Sequence, residues 1–160
     1  MFSIGDKIFY PMHGAGIIEA IEEKEVLGEK RLYYIMSLSV GKMQVMIPTE
    51  KTSKLGIREV VNSSVLEKVF HLLSSDVDSN QPVHPNQRYR HNMDKMKTGD
   101  IYEGAQVIRD LSRSSKKKPL GTSDKMMLNN ARNILISELV LVQNMEENQA
   151  TDYINTVINQ

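Results

Sequence analysis

The spacing of apolar positions changes character along this chain. Through Pro48 they alternate over short runs, as on one face of a strand; beyond Asn62 they recur every three or four residues, as along a helix. Lys7 to Tyr10 is an aromatic and β-branched run stopped by Pro11, and His13-Gly-Ala-Gly16 reads as a turn with two flexible backbone positions. Ile17 to Glu22 begins a second strand and Arg31 to Leu38 forms a third. After the turn Val40-Gly-Lys42 a fourth follows, with Met43, Val45 and Ile47 on one face and Gln44 and Met46 on the other. This pattern predicts a small antiparallel barrel or curled sheet, whose incomplete edge is a ready site for a partner's strand.

A polar connection, Thr49 to Arg58, leads to Ser64-x-x-Glu67, which matches a capping box ahead of the stripe Leu66, Val69, Phe70 and Leu73. That helix is expected to cover one side of the sheet. Between Ser74 and Pro85, polar residues and two prolines carry no apolar period, which predicts a linker at 75–85 between a β domain with its closing helix, 1–74, and a helical domain, 86–160. In the second domain Tyr89, Met93 and Met96 make one stripe, and Gly99-Asp100 with Glu103 stops one helix and caps the next, which carries Ile101, Ala105, Ile108 and Leu111. Ser114 to Gly121 reads as a basic loop, after which Thr122 or Ser123 caps a long helix through Met127, Ala131, Ile134, Leu135, Leu139 and Val142. A last helix carries Ala150, Tyr153, Ile154, Val157 and Ile158. The expected class is α+β, a small β-barrel followed by an all-α bundle.

Charge changes the picture only when read locally. The chain has 20 Lys and Arg against 20 Asp and Glu, a formal balance of zero that argues against phosphate binding. Between Gln87 and Arg132, however, bases outnumber acids, and beyond Arg132 there is no Lys or Arg. The basic stretch reads as a phosphate-binding field or as ordinary solvated helix faces. Within it Arg88, Arg90 and Lys97 on one helix, and Lys125 and Arg132 on the long helix, are the candidate phosphate contacts. Asn86 and Gln87 at a helix start serve as caps or reach toward sugars and bases.

Catalytic and metal chemistry finds no support in the residues. With no cysteine there is neither a disulfide nor a thiolate, and His13, His71, His84 and His91 are scattered without metal-ligand spacing. The glycines of the His13 turn lack the spacing and the lysine-serine pair of a phosphate loop. No catalytic residue, metal, cofactor, small-molecule substrate or membrane contact is therefore expected. The start reaches Asp6 without a basic region followed by an apolar run, from which a cytoplasmic protein is expected.

Ile4-Gly-Asp6, the segment from Tyr10 to Ile21, Met46-Ile-Pro48 and Leu55 to Val61 resemble the CarD family of bacterial transcription regulators, and the opening is also similar to a module of transcription-repair coupling factors. Arg88-Tyr-Arg-x-Asn92, Gly99-Asp100, Val107 to Leu111 and Lys125 to Arg132 resemble the CarD helical domain. The resemblance implies a Tudor-like, SH3-like barrel that adds a strand to the RNA polymerase β subunit through Lys24 and Gln44, Val45, Met46 and Ile47. It also implies a helical domain that touches promoter DNA at the upstream edge of the melted bubble through Arg88, Arg90 and Lys125, and so shifts open-complex stability without covalent chemistry. A monomer held near the nucleoid by polymerase is expected. The chain departs from the family in two places. It has no tryptophan, Pro85 standing where relatives commonly place one as a wedge, and Met46 stands where some relatives carry arginine. The alternative expectation is a protein-protein adaptor that makes no DNA contact.

Overall fold

The computed structural model describes residues 1–75 and 81–159. Strands β1 (Lys7–Tyr10), β2 (Gly14–Val26), β3 (Glu29–Leu38), β4 (Gln44–Pro48) and β5 (Arg58–Glu59) precede helices α1 (Ser63–Ser74), α2 (Pro85–Lys97), α3 (Ile101–Lys117), α4 (Thr122–Gln143) and α5 (Glu147–Ile158). The strands form one antiparallel sheet in the order β4-β3-β2-β1-β5, so the expected α+β class and the curled sheet are both present. One face of the sheet closes over Ile8, Ile18, Tyr34, Met36, Ile47 and Ile57. The opposite face presents Phe9 and Ala15 to the helices, and these two residues share a core with Leu66, Ile108, Leu111, Leu135 and Ile154. Alternation along β1 sends Ile8 one way and Phe9 the other, so a four-residue strand serves both cores.

Several expectations are corrected. β2 and β3 run past Glu22 and begin before Arg31, as a two-stranded ribbon with Val26 opposite Glu29 and a turn at Leu27 and Gly28, both at positive φ. No apolar alternation marks the ribbon because its residues from Glu22 to Lys30 are exposed on both faces. Arg58, expected to end a connection, instead begins β5, where Arg58 and Glu59 pair with Phe9 and Ile8. The cap of α1 is Asn62, whose side chain accepts from the Val65 amide at 3.0 Å; Ser64 lies inside the helix and donates to Asn62 Oδ1 at 2.7 Å. Nor does α1 cover the sheet: Leu66, Val69 and Leu73 belong to the helical core, against α3 and α5.

Farther along, Ser114 to Lys117 are the last turn of α3 and not a loop, a position where Lys116 and Lys117 suit the negative end of the helix dipole before Pro119 forbids continuation. Gly121, not Thr122 or Ser123, occupies the cap position of α4 and supplies no side chain to it. The Asp100 cap of α3 is as expected, its carboxylate accepting from the amides of Tyr102 and Glu103. The expected linker at 75–85 falls in part on residues 76–80, which lie outside the described residues.

The two halves meet along a seam between β1–β2 and α4. Gly14, at φ 116, approaches so closely that a Cβ there would stand 2.8 Å from Ser137 Oγ, and the neighbouring Ala15 amide donates to that same oxygen at 2.9 Å. Ser39 donates to the Ser137 carbonyl at 2.7 Å. Gly14-Ala-Gly16, expected in a turn, instead opens β2 in register with Tyr10, Phe9 and Ile8, and the missing side chain at Gly14 admits Ser137 of α4.

Candidate functional site: a free strand edge and a cleft between helix starts

β4 ends the sheet, hydrogen-bonded to β3 on one side and to no strand among the described residues on the other. The register sets Ser37 opposite Gln44, Ile35 opposite Met46 and Tyr34 opposite Ile47. Alternation then divides the expected contact residues. Ile47 is fully buried and can offer a partner only its backbone, and Val45 is half-buried. Gln44 and Met46 face outward, Gln44 donating to Glu19 at 3.0 Å, while Met46, 45 % exposed, stands beside Ile35. Lys24 pairs in register with Arg31, two residues beyond the Tyr33–Pro48 end of the β4 ladder, and is held by Glu22 at 3.0 Å. It belongs to the ribbon and not to the edge itself.

The second feature lies where α2 and α4 begin. Pro85 is the first residue of α2, and the fixed φ and missing N–H of proline suit that position. Neither α2 nor α4 has a side chain capping its first turn, so amide donors and the positive ends of two helix dipoles face an open cleft of about 440 Å³. Pro85, Asn86, Tyr89, Arg90, Gly121, Thr122, Ser123 and Asp124 line it. Arg90 is exposed, as is Lys125 in the first turn of α4.

Arg88 is placed otherwise. Its Nη2 contacts Asp124 Oδ2 at 2.6 Å and its Nε is buried without a partner, so it ties α2 to α4 where a free cation was expected. Lys97 sits at the far end of α2, about 18 Å from Pro85 at the helical rise, and Arg132 two turns along α4 from Lys125. The structure therefore gathers Pro85, Asn86 and Arg90 at the cleft, sets Lys125 next along α4 from the lining residue Asp124 without lining the cleft itself, and leaves Lys97 and Arg132 apart. Asp124, the partner of Arg88, went unnoticed in the sequence, where 36 residues separate the two. Exposed apolar neighbours were also missed: Val83, 93 % exposed, just ahead of α2, and Met126, 66 % exposed, beside Lys125.

Two domain patterns cover the chain. The pattern described as the CarD-like/TRCF RID domain matches residues 2–61, and that described as the CarD C-terminal domain matches residues 68–155. The chain belongs to the CarD family. As a CarD-family protein it is a transcription-related factor of the RNA-polymerase-interacting kind, with the Tudor-like sheet and helical half of its relatives. It is 49% identical over 153 residues, 96% of this chain and 99% of the other, to YdeB of Bacillus subtilis (strain 168), whose name describes it provisionally as a transcription factor. The solution structure of the 72-residue N-terminal domain of Myxococcus xanthus CarD is 32% identical, covering 37% of this chain and 79% of that one, with a TM-score of 0.33. Among the described residues no helix of this CarD-family chain is long and apolar enough to cross a membrane, and no cluster of three metal-binding side chains occurs.

Proposed function

We propose that this protein adds its β4 edge to a strand of the RNA polymerase β subunit and sets the cleft between α2 and α4 on promoter DNA near the upstream edge of the bubble, stabilising the open complex. The observation that carries the reading is the cleft itself. Two uncapped helix starts and the exposed Arg90 form a compact oxyanion receptor on a protein whose net charge is zero, the lining Asp124 carboxylate being engaged by Arg88 and the exposed Lys125 following it on α4. The receptor needs little intrinsic affinity, because docking through β4 raises its effective concentration at the promoter. Pro85 and the protruding Val83 supply the apolar wedge in place of tryptophan, with less stacking area. The working division falls between a docking half ending at β5 and a DNA-facing half to which α1 belongs by its packing. The protein acts as a monomer in the cytoplasm, brought to the nucleoid by polymerase.

Arg90→Glu tests this reading. Open-complex lifetime in the presence of the variant should fall to that of polymerase alone, while calorimetric affinity of the full chain for the β-subunit lobe stays unchanged. Loss of both together would defeat the division of labour. The adaptor reading is favoured by one observation, the capture of Arg88 by Asp124, which removes a cation from the surface. It is separated from the first by salt. Phosphate contacts give a slope of log affinity near −0.9 per contact, whereas an apolar protein contact is nearly flat.

A further inference from the structure

Arg58, on the two-residue strand β5, reaches across the seam into the helical half. Its Nη1 and Nη2 grip both carboxylate oxygens of Glu138 on α4, at 2.8 and 3.0 Å, and its Nε donates to the Gly99 carbonyl in the α2–α3 turn at 2.8 Å. The guanidinium lies over the Phe9 ring, 4.1 Å from its centroid. Glu138 is 1 % exposed and also accepts from the Val61 amide at 2.9 Å, so both its oxygens are used. One planar fork therefore joins β1, β5, the α2–α3 turn and α4. A bidentate arginine-carboxylate pair has a narrow range of allowed geometry, whereas the apolar contacts around it tolerate sliding.

We propose that Arg58 and Glu138 are positioning residues that set the angle between the β4 docking edge and the cleft at the starts of α2 and α4. The inference rests on the function proposed above. A cleft delivered by docking meets the DNA only when both engagements are geometrically possible at once, so a wandering angle forfeits the gain in effective concentration. A buried ion pair often adds little net stability compared with apolar residues of similar size, which separates its orienting role from simple support.

The test uses the full-length double variant Arg58→Met/Glu138→Leu, which fills the site without leaving a buried charge, beside the single variant Glu138→Gln. The absence of cysteine allows clean spin labels at Lys42→Cys, next to the docking edge, and Asn130→Cys on the exposed side of α4. Electron-electron distance measurements should give a narrow distribution for the parent and a broad one for the double variant, with Glu138→Gln between them. Affinity for the β-subunit lobe should be retained and the gain in open-complex lifetime should drop about tenfold. A distribution as narrow in the double variant as in the parent overturns the proposal, as does a broad one with the full effect on open complexes. If the parent itself has no effect on open complexes, the function proposed above fails, while the distances still decide whether Arg58 and Glu138 set the angle. Should the double variant fail to fold, Glu138→Gln alone carries the test, and an unchanged distance distribution in it is the overturning result.

Discussion

Leu27 carries two local conflicts: it is 100 % exposed, and at φ 53 it adopts a left-handed conformation that an L-residue with a branched side chain disfavours. Asparagine tolerates that region and suits the first position of a tight turn with glycine second. Leu27→Asn is expected to stabilise the protein by about 1 kcal/mol, seen as a rise in Tm of about 2–4 °C. Gly104 offers a second gain of the same kind. It lies inside α3 beside a small apolar cavity of about 30 Å³ between the sheet and the helices, and a Cβ there would meet nothing within 4 Å. Gly104→Ala should add about 0.5–1 kcal/mol by relieving helix entropy, read as a higher urea midpoint with an unchanged m-value. At this scale the sequence was a partial guide. Asp100 announces its helix start because its partners are two and three residues away, whereas the commitments of Arg88 to Asp124 and Arg58 to Glu138 span 36 and 80 residues and carry no local pattern.

Among elements, β4 has two jobs with different tolerance to change. Its inward residue Ile47 is core, while Met46 lies on the outward face and contributes little to folding. Met46→Glu should leave stability within about 0.5 kcal/mol while weakening binding to the β-subunit lobe about tenfold, because it sets a carboxylate beside Ile35 where the same-face side chain of an added strand would pack. Unchanged calorimetric affinity would remove the outward face of β4 from the contact. Elements with a buried face were legible: β4, α3 and α5 show their period, and β3 shows a continuous apolar run from Leu32 to Met36. The β2–β3 ribbon and β5 were not, since one buries neither face and the other has only two residues, so cross-strand pairing and not side-chain pattern defines both.

For the whole molecule, the neutral total charge sharpens a kinetic expectation. With equal numbers of bases and acids there is no long-range attraction to DNA, so binding of the free protein to promoter fragments should be weak and fall steeply with added salt, while its association with polymerase should change little over the same range. Fluorescence anisotropy of labelled duplex against a salt series, with and without polymerase, measures both. Equal salt slopes for the two associations would point to a charged docking surface instead.

The seam has a consequence for how such a chain can be recombined. Gly14 faces Ser137, Gly99 leaves room for Pro11, and Arg58 grips Glu138, each pair drawing one member from either side. A hybrid that grafts the helical half of one relative onto the sheet of another inherits mismatched pairs unless these positions travel together. The two halves resemble a lock and its own cut key more than interchangeable modules, and grafts that carry the paired residues across should fold where naive cut-and-join hybrids do not.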